Sequence, residues 1–138
     1  MIISTREYLS FIKRGTNESL EQYKKEMSRI DGLIKEHPNV VLLDALTKIR
    51  RRYEGQVQLY EEERARCLMN IQHLPTRDQS QAVYMYVMED NSWEQISVDR
   101  CTTFEAARSL VLRGFLSYEK LYGSKQEIDE RIFRGGIR

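Results

Sequence analysis

The chain has 138 residues, a length typical of one domain or of two very small units. Its 22 basic and 21 acidic residues give a net charge of +1, which excludes a histone-like protein that coats nucleic acid by charge alone. Only two prolines and seven glycines interrupt the chain, so we expect an all-α protein with long helices, because a β-sandwich or barrel needs frequent turns.

The cysteines and the start of the chain indicate a cellular compartment. Cys67 and Cys101 are too few for a disulfide scaffold and are expected to be reduced. No apolar run approaches the roughly 18 residues of a membrane span. Charge at Arg6 and Glu7 interrupts the stretch where a signal peptide is apolar. The sequence therefore predicts a cytoplasmic protein with no membrane contact.

Residues 1–72 are predicted to form a long helical hairpin or coiled coil that mediates oligomerisation. An apolar opening over residues 8–12 precedes a predicted break at 15–17, and a helix begins near Ser19. Apolar residues then recur at steps of three and four, the a/d pattern of a helix packed against one partner helix. The residues predicted to form this interface are Leu20, Tyr23, Met27, Ile30, Ile34, Leu42, Leu46, Ile49 and Tyr53.

The partner of this apolar seam is left open by the pattern. A turn at 36–39 leads into a second long helix from about Val40 to Ile71 in the same register. The two helices fit an intramolecular hairpin, a homodimer in which two hairpins form four helices, or a parallel coiled coil between chains.

Residues 73–123 are predicted to form three helices with clear start signals. Thr76 with Gln79 and Ser92 with Gln95 are capping-box pairs, and Thr103 caps a third helix from Phe104 to about Tyr122. A helix, a tight link, a very short helix and a longer helix in this order form a helix-turn-helix. Trp93 is predicted as a core anchor, and the polar tail 124–138 is expected to be mobile. The predicted buried stripe of the third helix is Ala107, Leu110, Val111, Phe115, Tyr118 and Leu121.

The third helix of this module is the predicted reading element, because its first turns are free to enter a major groove. Arg108 and Arg113 are assigned to bases or phosphates, and Thr103 and Ser109 to the backbone or base edges. Glu105 is able to accept a hydrogen bond from a cytosine amino group. The complete candidate DNA-binding set is Thr103, Glu105, Arg108, Ser109, Leu112 and Arg113.

The module resembles the helix-turn-helix of sigma-factor region 4 and, more closely, small phage-encoded regulators of the ArpU and RinA type. The resemblance lies in residues 71–75, 83–86, 91–97, 103–108 and Leu121. It covers roughly residues 70–122, and the N-terminal half matches only in architecture. It implies a phage-type transcription regulator of phage or prophage late genes that binds promoter DNA through the helix beginning at Thr103 and contacts RNA polymerase. Together with the predicted oligomerisation region, it predicts a homodimer in the bacterial host cytoplasm.

The charge of the C-terminal half departs from that resemblance. Residues 71–138 contain nine basic and ten acidic residues, a net charge of −1, whereas the regulators usually carry a more basic third helix. Few phosphate contacts are therefore expected. The alternative is a protein-interaction module of the same fold that binds RNA polymerase, a repressor or a phage packaging protein without binding DNA.

Catalytic and metal-binding patterns are not expected. The two histidines and two cysteines are not spaced as metal ligands are. The sequence also has no evident pairing of a nucleophile with a base and no pair of carboxylates typical of a catalytic site. The sequence thus predicts neither an enzyme nor a protein with a cofactor. The four residues are His37, Cys67, His73 and Cys101.

Overall fold

The computed structural model describes residues 2–36, 39–123 and 125–133. Residues 37–38 of the predicted interhelical turn and residues 134–138 of the predicted tail lie outside the described residues. The chain order is β1 (Ile2–Ser4), α1 (Thr5–Ser10), a π-helical segment (Phe11–Gly15), α2 (Thr16–Glu36), α3 (Val40–Gln72), α4 (Arg77–Val87), α5 (Trp93–Asp99), α6 (Phe104–Tyr122), β2 (Lys125–Glu127) and α7 (Glu130–Phe133).

This order confirms the predicted fold class, a largely α-helical protein with a long hairpin followed by a helix-turn-helix. The described residues also form elements that were not predicted: a two-stranded antiparallel ladder between β1 and β2, the π-helical segment and α7. No helix of the described residues is both long and apolar enough to cross a membrane.

The predicted helix break at residues 15–17 is wrong, because helical structure continues from α1 through the π-helical segment into α2. A π turn leaves a carbonyl without its usual partner. The Thr16 hydroxyl donates to the Ile12 carbonyl at 2.7 Å. A Cβ on Gly15 would lie only 2.8 Å from Cδ2 of Phe11, so glycine allows that ring to pack against the turn. Residues that resemble helix breakers therefore stabilise a widened turn.

Helices α2 and α3 pack antiparallel within the single chain. The Tyr23 ring lies 5.4 Å from the Tyr53 ring and 6.0 Å from the Tyr60 ring, measured between centroids. Nearer the turn, Nε of Arg50 lies 2.7 Å from Oδ1 of Asp31. These pairs join the two helices along their length, so the intramolecular hairpin is the arrangement that the chain adopts.

The predicted oligomerisation residues differ in how far the hairpin buries them. Those buried within the chain are Leu20, Tyr23, Ile30 and Leu46, and those half-buried are Met27, Ile34, Ile49 and Tyr53. Burial of the first group needs no second chain. Leu42 is 41% exposed, and Val40 and Val41 beside it are about 80% exposed. The homodimer stays a prediction, and among its predicted residues the exposed one, Leu42, lies at the start of α3.

The expectation of a mobile tail over 124–138 is wrong for its described part. Strand β2 pairs with β1, and Ile128 and Ile132 beyond it are buried. The Tyr60 hydroxyl of α3 donates to the Ile132 carbonyl at 2.7 Å. A few apolar residues in a polar stretch are enough to order it, because the hairpin offers them an apolar surface.

Candidate nucleic-acid interface

All three predicted N-caps of the C-terminal module are confirmed. The hydroxyl of Thr76 accepts from the backbone N–H of Gln79 at 3.1 Å. Ser92 and Gln95 form a reciprocal capping box, with bonds of 3.2 Å and 2.7 Å. Thr103 accepts from a backbone N–H in the first turn of α6 at 3.1 Å. Each helix therefore begins where its side chains satisfy the free N–H groups of the first turn.

Helices α4 and α6 approach each other closely at Gly114, where a Cβ would overlap Cγ2 of Val83. The predicted burial of Leu121 is wrong, since that side chain is 51% exposed. Tyr122 is half-buried, and its hydroxyl donates to the Asn70 carbonyl at 3.1 Å. The fully buried residues of the module's packing are Ala82, Val83, Val87, Ile96, Ala107, Val111 and Tyr118.

A lysine of the N-terminal half stabilises the turn between α4 and α5. Nζ of Lys13 donates to the carbonyls of Tyr86 and Asn91 at 2.8 and 3.2 Å, and it lies 2.9 Å from Oδ1 of Asp90. The Lys13 side chain is 8% exposed, although it carries the positive charge. Asp90 adopts a left-handed backbone conformation with φ of 54°. The acidic character of this turn is thus partly balanced by a buried cation.

Arg64 of α3 acts on the same turn from a second direction. Its Nη2 donates to the Met88 carbonyl at 3.0 Å, and its Nη1 donates to the Thr16 hydroxyl at 2.9 Å. Burial lowers the pKa of the Arg64 guanidinium from its usual range. A cation beside the last carbonyls of a helix is favourable. No sequence signal links Arg64 or Lys13 to this turn, because the contacts join segments that are distant along the chain.

A buried polar cluster joins α1, α3 and α6 beneath the module. The Tyr8 hydroxyl donates to Oε1 of Glu63 at 2.8 Å, and Nδ2 of Asn70 donates to the Tyr118 hydroxyl at 3.0 Å. Burial raises the pKa of the Cys67 thiol to about 12, so this thiol stays protonated at neutral pH. Burial also raises the pKa of Tyr8. The cluster therefore fixes the packing of three helices and offers no reactive nucleophile.

The predicted DNA-binding residues all lie on the outward face of α6 and at its cap, and two depressions border that face. Arg108 and Leu112 line a groove towards α1. Ser109 and Arg113 line a shallower depression on the side of the α5–α6 turn. Thr103 and Glu105 are exposed at the start of the helix. The first three turns of α6 thus present polar side chains together with the exposed apolar Phe104 and Leu112, while α4 and α5 cover the opposite face.

The groove between the α1 end of the chain and α6, called here the α1–α6 groove, has a volume of about 400 Å³. Three exposed arginines line it, Arg6 and Arg14 from the N-terminal half and Arg108 from α6. None of the three forms an ion pair within the described part of the chain. The surface beside α6 is therefore basic, which the charge of residues 71–138 alone does not show.

Aromatic rings line the deeper part of the same groove. Tyr86, Trp93 and Phe115 are half-buried there. Trp93, predicted as a core anchor, stacks on Tyr86 with a centroid distance of 4.3 Å and an interplanar angle of 9°. Lys13 Nζ lies 3.8 Å from the centre of the Tyr86 ring. Trp93 therefore belongs both to the packing of α5 and to the wall of the groove.

The fold and this interface define a helix-turn-helix protein with a helical hairpin attached to the module. Comparison with protein-family models, curated proteins and solved structures found no match for this chain. The resemblance to sigma-factor region 4 and to regulators of the ArpU and RinA type therefore stays a prediction.

Proposed function

We propose that the protein is a phage-type transcription regulator that binds promoter DNA through α6 in the cytoplasm of a bacterial host. The observation that carries the proposal is the outward face of α6. That helix begins at a capped Thr103 and exposes Glu105, Arg108 and Ser109 in its first turns, while its other face is buried against α4 and α5. This is the placement that a recognition helix needs for its first turns to enter a major groove.

The charge distribution in space supports this proposal better than the charge along the chain. Arg6 and Arg14 lie beside Arg108, so phosphates next to the reading face meet additional cations. Lys13 balances Asp90 in the turn before α5. Each phosphate that these arginines neutralise is expected to steepen the dependence of log K on log salt by about 0.9.

Dimerisation forms part of the same proposal. The exposed apolar side chains of Val40, Val41, Leu42 and Leu43 lie at one end of the hairpin, at the start of α3. A second copy that covers them would give two reading helices, and a pseudo-palindromic site would then be bound with the avidity of two modules. RNA polymerase is the proposed protein partner at the promoter.

The test is a fluorescence-anisotropy titration of the full chain against promoter fragments from the genome that carries its gene. Arg108→Ala with Arg113→Ala is expected to weaken binding about 100-fold, since each base or phosphate contact contributes about 1–3 kcal/mol. Arg51→Ala with Arg52→Ala is the matched control, because these exposed arginines lie on the hairpin and not on α6. Absence of binding at low salt, or an equal loss in the control, would contradict DNA reading by α6.

A protein-interaction module is the second candidate, and one observation favours it. Val98 on the short helix α5 is 78% exposed, and Glu94 and Asp99 on the same helix are exposed beside it. An apolar residue among acidic ones suits a protein contact better than a DNA contact. Capture of purified RNA polymerase by the full chain, abolished by Val98→Asp and unaffected by the Arg108 and Arg113 changes, would favour this candidate.

A further inference from the structure

We infer that the α1–α6 groove is a binding site for a small anionic compound with an aromatic ring, of the nucleoside phosphate class. The site shares Arg108 and Leu112 with the DNA contact proposed for α6, but the inference does not depend on DNA binding. Two independent features of the groove point to the two parts of such a ligand.

The first feature is a set of cations without counterions. Arg6 and Arg14 come from the N-terminal helical stretch and Arg108 comes from α6, and all three line one recess. None of them donates to a carboxylate of the described residues, whereas nearby Lys13 is fully engaged with the α4–α5 turn. Guanidinium groups bind phosphate in a bidentate manner, and three of them around one recess suit a phosphate group.

The second feature is the aromatic lining. Tyr86, Trp93 and Phe115 keep part of their surface exposed in the groove, and Phe104 at the start of α6 is 46% exposed beside them. The recess of about 400 Å³ falls within the usual range for small-molecule sites, roughly 300–1,000 Å³. The faces of Tyr86 are already covered by Trp93 and by Lys13, so a flat ligand ring would stack on the exposed Phe104 ring beside Trp93, as bases do on aromatic residues.

Duplex DNA accounts for the first feature but not for the second. Its phosphates lie on the outside and reach exposed guanidinium groups, whereas its bases stay stacked inside the helix. A duplex at α6 therefore contacts Arg108 without bringing an unstacked base against the rings that line the groove. A free nucleotide brings a phosphate and an unstacked ring to the same recess, and it is the occupant that both features favour.

The experiment is a titration of the full chain with AMP and with UMP, followed by isothermal calorimetry and by the fluorescence of Trp93, the only tryptophan of the chain. Adenosine and inorganic phosphate are titrated as the two halves of the ligand. Saturable binding of at least one nucleotide, with a change in Trp93 emission, is expected. Each half is expected to bind at least about tenfold more weakly, because it lacks one of the two contacts.

Arginine variants locate the binding. Arg14→Gln and Arg6→Gln are each expected to weaken nucleotide binding about tenfold or more. Arg51→Gln is the matched control, since Arg51 is exposed on α3 and lies outside this groove. Circular dichroism establishes that each variant is folded, and having two groove variants keeps the test decisive if one does not fold.

Three outcomes would overturn the inference. They are no saturable binding of either nucleotide at millimolar concentration, binding of inorganic phosphate as tight as that of the nucleotide, and a loss in Arg51→Gln equal to that in the groove variants. Because DNA is absent from the titration, failure of DNA binding by α6 leaves this result intact, and failure here leaves the DNA proposal intact.

Discussion

Replacing Lys13 by methionine is expected to destabilise the protein, and the α4–α5 turn above all. Lys13 is an almost completely buried cation that donates to the carbonyls of Tyr86 and Asn91 and lies 2.9 Å from a carboxylate oxygen of Asp90. Methionine keeps the apolar stem and its packing, so the change removes the charge and its hydrogen bonds without opening a large cavity.

The expected loss in the free energy of unfolding depends on how exposed the groups that Lys13 contacts are. A hydrogen bond from a charged donor contributes about 1.5–3 kcal/mol, and two carbonyls lose such a donor. The ion pair adds less than about 1 kcal/mol, because the Asp90 side chain is 49% exposed and water screens it. Since water is able to reach part of the opened turn, we expect a total loss of about 3 kcal/mol for Lys13→Met.

Urea unfolding of the full chain measures this loss. Lys24→Met is the matched control, because it removes the same charge from an exposed pair in which Nζ lies 3.7 Å from Glu61. That control is expected to change the free energy of unfolding by less than about 0.5 kcal/mol. Hydrogen exchange in the turn around Asp90 is expected to accelerate in Lys13→Met alone. Equal destabilisation by Lys13→Met and Lys24→Met would show that Lys13 does not stabilise the α4–α5 turn through its buried contacts.

Three further predictions test the packing. Gly114→Ala is expected to lower the free energy of unfolding by about 1–3 kcal/mol, because the added Cβ would overlap a side chain of α4. Gly55→Ala has open space around its Cβ and is expected to stabilise α3 by about 0.5–1 kcal/mol. Equal destabilisation by the two changes would contradict the close approach of α4 and α6. In a thiol-reagent titration Cys101 is expected to react in the native protein, and Cys67 is expected to react only after unfolding. The reason is that Cys67 is buried and its pKa is raised to about 12. Fast reaction of both thiols in the native protein would contradict the buried polar cluster. Ile132→Ala is expected to lower the free energy of unfolding, measured in urea, by about 2–4 kcal/mol because Ile132 is buried. An unchanged free energy of unfolding would indicate that the tail is mobile after all.

Local signals explain why so much of the C-terminal module was predictable from sequence. The caps at Thr76, Ser92 and Thr103 depend on side chains within three residues of the groups that they bond. The hairpin was predictable for a similar reason, since its apolar seam repeats every three or four residues. Exposure of the five candidate residues on α6 follows from the same periodicity.

Contacts between distant segments explain what sequence reasoning missed. Lys13 lies 73 positions before its acceptor Tyr86, and no local pattern pairs them. The α1–α6 groove likewise places Arg6 and Arg14 beside Arg108. The surface next to α6 is therefore more basic than the net charge of residues 71–138 predicts. The tail was judged by its polar composition, yet the burial of Ile132 depends on a surface of α3 that composition does not describe.

The pairing of β1 with β2 sets an order for folding during synthesis. The Thr5 hydroxyl next to β1 donates to the carbonyl of Gly123, which follows 118 residues later in the chain. At about 5–20 residues per second, the ribosome needs roughly 6–24 s to make the intervening segment. During that time β1 has an open edge, because its partner strand does not yet exist. The hairpin and the helix-turn-helix, whose contacts are more local, are therefore expected to form first, and the ladder closes last.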